Sequence, residues 1–174
     1  IEGFSLFERL NARGEALSIT DLLKNHIFSK QDKALTDSWN RLDTQYSTQK
    51  LSILTMVRYF FMTQRGFIRK KSLYRELKSL ANEDPKEFMK KLEHFSHFFI
   101  TYNSVDHTHF DKIKELLVDH FKIKINNNNR LFLIFKSLQG LNRYNIIQPI
   151  PTVYSFLQSY ARLGLDSSGT YRKG

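Results

Sequence analysis

Residues 84–102 read DPKEFMKKLEHFSHFFITY, and this stretch decides the fold class. Asp84 followed by Pro85 is a clean helix start. The aspartate can accept from the free N–H groups of the first turn, and a proline at the first helical position gives up an N–H that has no intrahelical partner. Phe88, Leu92, Phe95, Phe99 and Tyr102 then recur at i, i+4, i+7, i+11 and i+14. Side chains so spaced share one helical face. The spacing predicts one of the longest helices in the chain, packed antiparallel to a neighbour with its phenyl rings in the core. His94 and His97 stand three residues apart on the same helix, a spacing that can bind a metal. No carboxylate pattern completes a site, so both are read as surface or boundary histidines.

The same period continues in both directions. Leu35, Trp39, Leu42 and Tyr46 mark a helix from about Lys33 to Tyr46, with Trp39 a core residue rather than a stacking residue for a base. Thr48 to Gln64 is apolar on nearly all sides, which predicts a central helix closed near Gly66. Leu73, Tyr74, Leu77 and Leu80 form the inner face of the next one. Beyond Tyr102, a turn is expected from Asn103 to Thr108, and then a helix reaching Phe121 with Ile113, Leu116, Leu117 and His120 inward. Four consecutive asparagines, Asn126 to Asn129, favour a turn or a helix cap over a helix interior. Leu131 to Leu138 predicts a very apolar helix closed by Gly140. Gln148 to Pro151 predicts an extended link, because each proline restrains the residue before it. Thr152 then caps a final helix carrying Val153, Phe156, Leu157 and Tyr160, ended by Gly164. Alternating runs are nearly absent. The expectation is an all-α, multi-helix bundle of about seven to nine helices with little or no strand.

A chain of 174 residues with 41% apolar residues, fifteen of them Phe, has the means to build a core and is not a disordered sequence. No apolar run approaches the roughly 20 residues that a membrane span needs. Cysteine is absent, which excludes disulfides and thiolate metal sites and fits a reducing, cytoplasmic setting. The net charge of +10 is uneven. Residues 1–48 hold six Lys and Arg against seven Asp and Glu, residues 49–120 thirteen against nine, and residues 121–174 eight against one. An excess that grows toward the C-terminus suggests an anionic partner. Arg65, Arg69, Lys70, Lys71, Arg75 and Lys78 form the densest basic cluster, with Glu76 the only acid between Arg58 and Lys78. They are the candidate DNA-binding residues, since Lys and Arg on phosphates supply most non-specific affinity. The plainer reading is a solvated helix face, helped by favourable charges at the end of the preceding helix.

Near the N-terminus, Phe4 to Phe28 reads FSLFERLNARGEALSITDLLKNHIF. A short apolar face is followed by a turn at Asn11–Gly14. Ser18 then starts a new helix, with Asp21 three residues on. The stretch resembles the pattern F-x-x-L-N-x-x-G-x-x-L-[ST]-x-x-D-L-[LI]-K of the ParB-like domain in GmrSD-type modification-dependent restriction enzymes and related phage-defence proteins. Phe7, Leu10, Asn11, Gly14, Leu17, Ser18, Asp21, Leu22, Leu23 and Lys24 match it.

In that family Phe-x-x-x-Asn is the second of two active-site motifs. The resemblance implies that Phe7 and Asn11, with Arg13 as a further candidate, belong to a nucleotide site. The first motif, Asp-Gly-Gln-Gln-Arg, does not occur in these residues. The chain is therefore expected to be a fragment of a longer protein. Residues 1–28 would end the ParB-like region, 29–165 would form a helical domain and 166–174 a tail or linker. The parent would be a DNA endonuclease using a nucleoside triphosphate and a divalent metal, with partners in the missing parts of its own chain, in DNA and not in a membrane. No HNH-like motif of the family's nuclease domain is found in the histidines of 107–120. Neither a Gly-rich phosphate loop nor a Gly-x-Ser-x-Gly elbow is present. No complete catalytic set and no metal site is nominated for this chain itself. The competing expectation is a structural or protein-binding helical module with no nucleotide or DNA role.

Overall fold

The computed structural model describes residues 18–104, 110–124, 128–144 and 148–162. Among these are eight α-helices and no strand, so the all-α multi-helix bundle stands. Phe7, Asn11 and Arg13 lie outside the described residues, as do His107, His109 and the segment 166–174. The chain divides into two compact units, Ile1–Glu93 and His94–Gly174.

The first unit contains α1 (Ile19–Phe28), α2 (Lys33–Thr48), α3 (Ile53–Arg65), α4 (Lys70–Glu83) and the opening turns of α5 (Pro85–Asn103). Its helix starts are strongly capped. Ser18 and Asp21 make a reciprocal capping box on α1, with the Asp21 amide on Ser18 Oγ at 3.0 Å and the Ser18 amide on Asp21 Oδ2 at 2.9 Å. Asp32 accepts from the amides of Ala34 and Leu35 at the start of α2. It also pairs with Lys86 Nζ at 3.3 Å, and the lysine holds its carboxyl below the usual range, aided by those amides. Ser52 caps α3 through the Thr55 amide, and Asp84 caps α5 through the amides of Lys86 and Glu87. Each such cap is worth about 1 kcal/mol.

Two sequence expectations change here. The helix predicted from Thr48 begins at Ile53, because Thr48 closes α2 and Lys50 adopts a left-handed backbone (φ 54°) that turns the chain. Nor is α3 buried on all sides. Met56, Val57, Phe60 and Phe61 are buried, while Leu54, Tyr59 and Met62 are only half-buried. α1 packs on α4, α2 and α3, and Leu23, Ile27, Trp39, Tyr46, Leu73 and Leu77 fill the space between them. Trp39 is 2% exposed, a core residue as its position between two leucines predicts.

The second unit holds the rest of α5, α6 (Phe110–Glu115) running into a π-helical turn (Leu116–His120), α7 (Asn128–Arg143) and α8 (Ile150–Arg162). α5 is 19 residues long, and its Phe88, Leu92, Phe95, Phe99 and Tyr102 are all buried, as their spacing predicts. Phe95, Phe98, Phe121 and Tyr154 pack edge-to-face and tilted, with centroids 4.8–5.9 Å apart in the pairs Phe95–Tyr154, Phe98–Tyr154 and Phe98–Phe121.

Two expectations fail in this unit. α7 passes through Gly140 to Arg143, since a lone glycine in ordinary helical geometry weakens a helix without ending it. Along α7, Phe132 and Leu133 are about half and two-thirds exposed. Finally, α8 starts at Ile150 rather than at Thr152. Pro151 lies in its first turn, where a missing N–H costs nothing, and the Val153 amide bonds to the Pro149 carbonyl at 2.8 Å. No helix among the described residues is long and apolar enough to cross a membrane.

Candidate nucleic-acid interface

The basic cluster lies where α3 ends and α4 begins. Gly66 closes α3 with φ 86° and ψ −162°, a backbone region that disfavours any side chain. The loop that follows points two apolar residues in opposite directions. Ile68 is buried, and Arg58 reaches its carbonyl from α3 at 3.5 Å. Phe67 is 76% exposed.

An open groove of about 750 Å³ runs along this corner. Phe61, Ile68 and Leu80 give it an apolar side, Ser72 and Ser79 a polar one, and Arg65, Arg69 and Arg75 carry its positive charge. The six predicted basic residues are thus not one patch. At 100° per residue, Arg69, Ser72, Glu76, Ser79 and Glu83 follow one side of α4, whereas Lys71 and Lys78 share another. Lys70, Lys71 and Lys78 are not part of the groove lining. Lys78 lies near His26, whose pKa is lowered first by burial and then by the charges of Lys30 and Lys78.

The arginines differ in their partners. Arg65 pairs with Glu83 at 3.1 Å, and Arg75 with Glu76 at 2.9 Å. The groove lining itself holds three arginines against two glutamates. Arg69, Lys70 and Lys71 are exposed, and no acidic partner stands within ion-pair distance of them among the described residues. They also open α4. Arg69 occupies the cap position with no side-chain cap hydrogen bond, and no acidic residue is in the first turn. A helix N-terminus carries partial positive charge and unpaired N–H donors. Three cations there oppose the helix dipole, in contrast with the Ser and Asp caps of α1, α2, α3 and α5.

The second unit carries a different cluster. His94, from α5, stacks on His120 at 3.6 Å between ring centroids, and His97 lies 4.7 Å from the same ring. Gln158 donates to the Tyr154 hydroxyl at 2.9 Å, which leaves that hydroxyl to donate to His94 Nδ1 at 2.8 Å. His120 Nε2 donates to the His94 carbonyl at 3.0 Å. The carbonyl contact by itself favours the charged imidazole, and burial outweighs it. Burial lowers the pKa of His94, and it pushes His120 down to about 4, with His94, His97 and Lys122 acting the same way. Burial also raises the Tyr154 phenol. Among the described residues, no three His, Cys, Asp or Glu side chains are placed to hold a metal ion.

Compared with known proteins, the chain matches no family model, no curated protein and no solved structure.

Sequence reasoning did not find Phe67. The signal was available, since a glycine-led break of four residues, Gly66 to Arg69, separates two helical patterns, and its two apolar residues cannot both face inward. Nor did it find the histidine cluster, because His94 and His120 are 26 residues apart and meet only through packing.

Proposed function

We propose that this chain is the helical part of a ParB-like restriction or phage-defence protein acting in the cytoplasm. In this reading it offers DNA a basic surface at the α3–α4 corner, and Phe7, Asn11 and Arg13 complete a nucleotide site with an upstream motif. The DNA half rests on one observation: Arg69, Lys70 and Lys71 stand exposed without acidic partners beside a groove carrying Arg65 and Arg75. Standing cations that oppose the dipole of their own helix are stabilised by an anion, and a phosphate can accept from the uncapped N–H groups as well as from the side chains. The nucleotide half rests on the resemblance of residues 7–24.

Binding to duplex DNA should be weak, without sequence preference, and steeply weakened by salt, because phosphate neutralisation releases counterions. A charge-reversed Lys70→Glu/Lys71→Glu double variant should lose most of this affinity at low salt and flatten the salt dependence. Wild-type affinity in that variant would reduce the cluster to a solvated face and favour a structural or protein-binding module.

The nucleotide half has its own test in the complete protein. Asn11→Asp keeps the capping ability of Asn but brings negative charge to an approaching phosphate. Nucleotide hydrolysis and phage restriction should collapse while the melting temperature barely moves. Hydrolysis at the wild-type rate would make Asn11 a cap and nothing more.

A further inference from the structure

An exposed phenyl ring in water is unfavourable, and the loop holding Phe67 is not loose. Ile68 anchors it in the core, Arg58 reaches its backbone, and Gly66 sets its direction. The ring is therefore presented by structure that fixes its neighbours. Phe67 also has no strongly exposed apolar companion in that groove. Among the described residues of the first unit it is the one large apolar side chain that is strongly exposed, and the groove it borders carries three arginines, two serines and two glutamates beside the inward-lying Phe61, Ile68 and Leu80. Protein-docking surfaces are contiguous apolar patches with several such side chains. One flat ring among guanidinium groups matches a different ligand, one with an aromatic face and a phosphate on either side of it. Proteins that hold single-stranded nucleic acid combine these two elements, a cationic groove along the backbone and an aromatic on which a base stacks. In a duplex the base faces are covered by their neighbours and such a ring has nothing to stack on.

We infer that Phe67 is a stacking platform for an unpaired base, with Arg65, Arg69 and Arg75 on the flanking phosphates, so that this groove prefers single-stranded DNA or an unpaired region over intact duplex. The inference rests on the DNA reading above and specifies which form of DNA the site takes.

The test compares fluorescence anisotropy of a labelled oligo(dT) with that of a duplex of equal length, using the whole chain and the variants Phe67→Ala, Phe67→Trp and Lys70→Glu/Lys71→Glu. The single strand should bind more tightly than the duplex. Phe67→Ala should weaken oligo(dT) binding by about fivefold or more while leaving duplex binding unchanged, as expected for one lost base stack. Phe67→Trp should keep the affinity, and its indole emission should be quenched by oligo(dT), against the constant signal of the buried Trp39. Because Phe67 is a surface residue, unchanged far-UV circular dichroism is expected in both variants.

If Phe67→Ala binds both forms as wild type does while the Lys70/Lys71 variant binds neither, the stacking inference is overturned and the DNA reading survives. If wild type binds neither form at low salt, both fail together. Phe67-dependent binding to anionic lipid vesicles, with no preference between single strand and duplex, would assign the ring to a lipid surface and also overturn the inference.

Discussion

The α3–α4 corner and the histidine cluster of the second unit hold cationic residues in opposite ways. At the corner, Arg69, Lys70 and Lys71 stay in water and have neither a carboxylate partner among the described residues nor a cap on the helix they open. In the cluster, His94 and His120 are stacked against each other and half-buried among Phe121 and Tyr154, and burial lowers the pKa of both. The difference teaches that residue type and exposure together decide where a protein keeps positive charge. An exposed guanidinium or ammonium is solvated and stays charged. A desolvated imidazole with no carboxylate beside it releases its proton instead. At neutral pH the corner offers exposed charge to an anion, and the stacked pair His94 and His120 does not.

Acid should break this comparison, and it carries the larger expected effect. In the unfolded chain a histidine takes up a proton below about pH 6.5, whereas folded His120 resists until about 4. Burial lowers His94 in the same direction, and His26 in the first unit as well. The unfolded state therefore binds more protons in this window. Stability should be fully present above pH 6.5 and should decline as the pH falls toward 4. For His120 the loss should be about 1–2 kcal/mol, discounted because its ring is only half-buried. Urea denaturation at a series of pH values measures it, and His120→Phe, which retains a ring to stack on His94, should flatten the curve. Constant stability from pH 7 to 4.5 would show that the imidazoles are solvated and that the two regions do not differ as argued.

How much of this was legible beforehand follows from the range of the forces involved. The capping box at Ser18 and Asp21, the Asp84–Pro85 start and the Phe88–Tyr102 seam are local, so spacing and chemistry within one or two turns decide them. All three were readable, and so was the all-α class. Boundaries set by a single backbone angle were not, as with Lys50 at φ 54° or the passage of α7 through Gly140. Burial of an apolar run also depends on what lies opposite, as the exposed Phe132 and Leu133 show. At the candidate site, the six basic residues were visible as a cluster along the chain. Their division between a groove and a second helix stripe was not, because it needs the rotation of α4 against α3. The pairing of Arg65 with Glu83 spans 18 residues and two helices, so a count of nearby acids missed it.

The smaller effect gives the most direct test of the central claim, that the start of α4 keeps cations for a ligand at a cost to its own helix. Arg69 already has the extended backbone of a cap residue (φ −76°, ψ 140°). Arg69→Asp would supply the missing cap and a charge that suits the helix dipole. Thermal unfolding and DNA binding of this one variant should therefore move in opposite directions. The account predicts a gain of about 1 kcal/mol in stability, together with weaker DNA binding and a salt slope shallower by about one to two. A variant that is more stable and binds DNA as well as wild type would contradict it, since Arg69 would then be a poor cap serving no ligand.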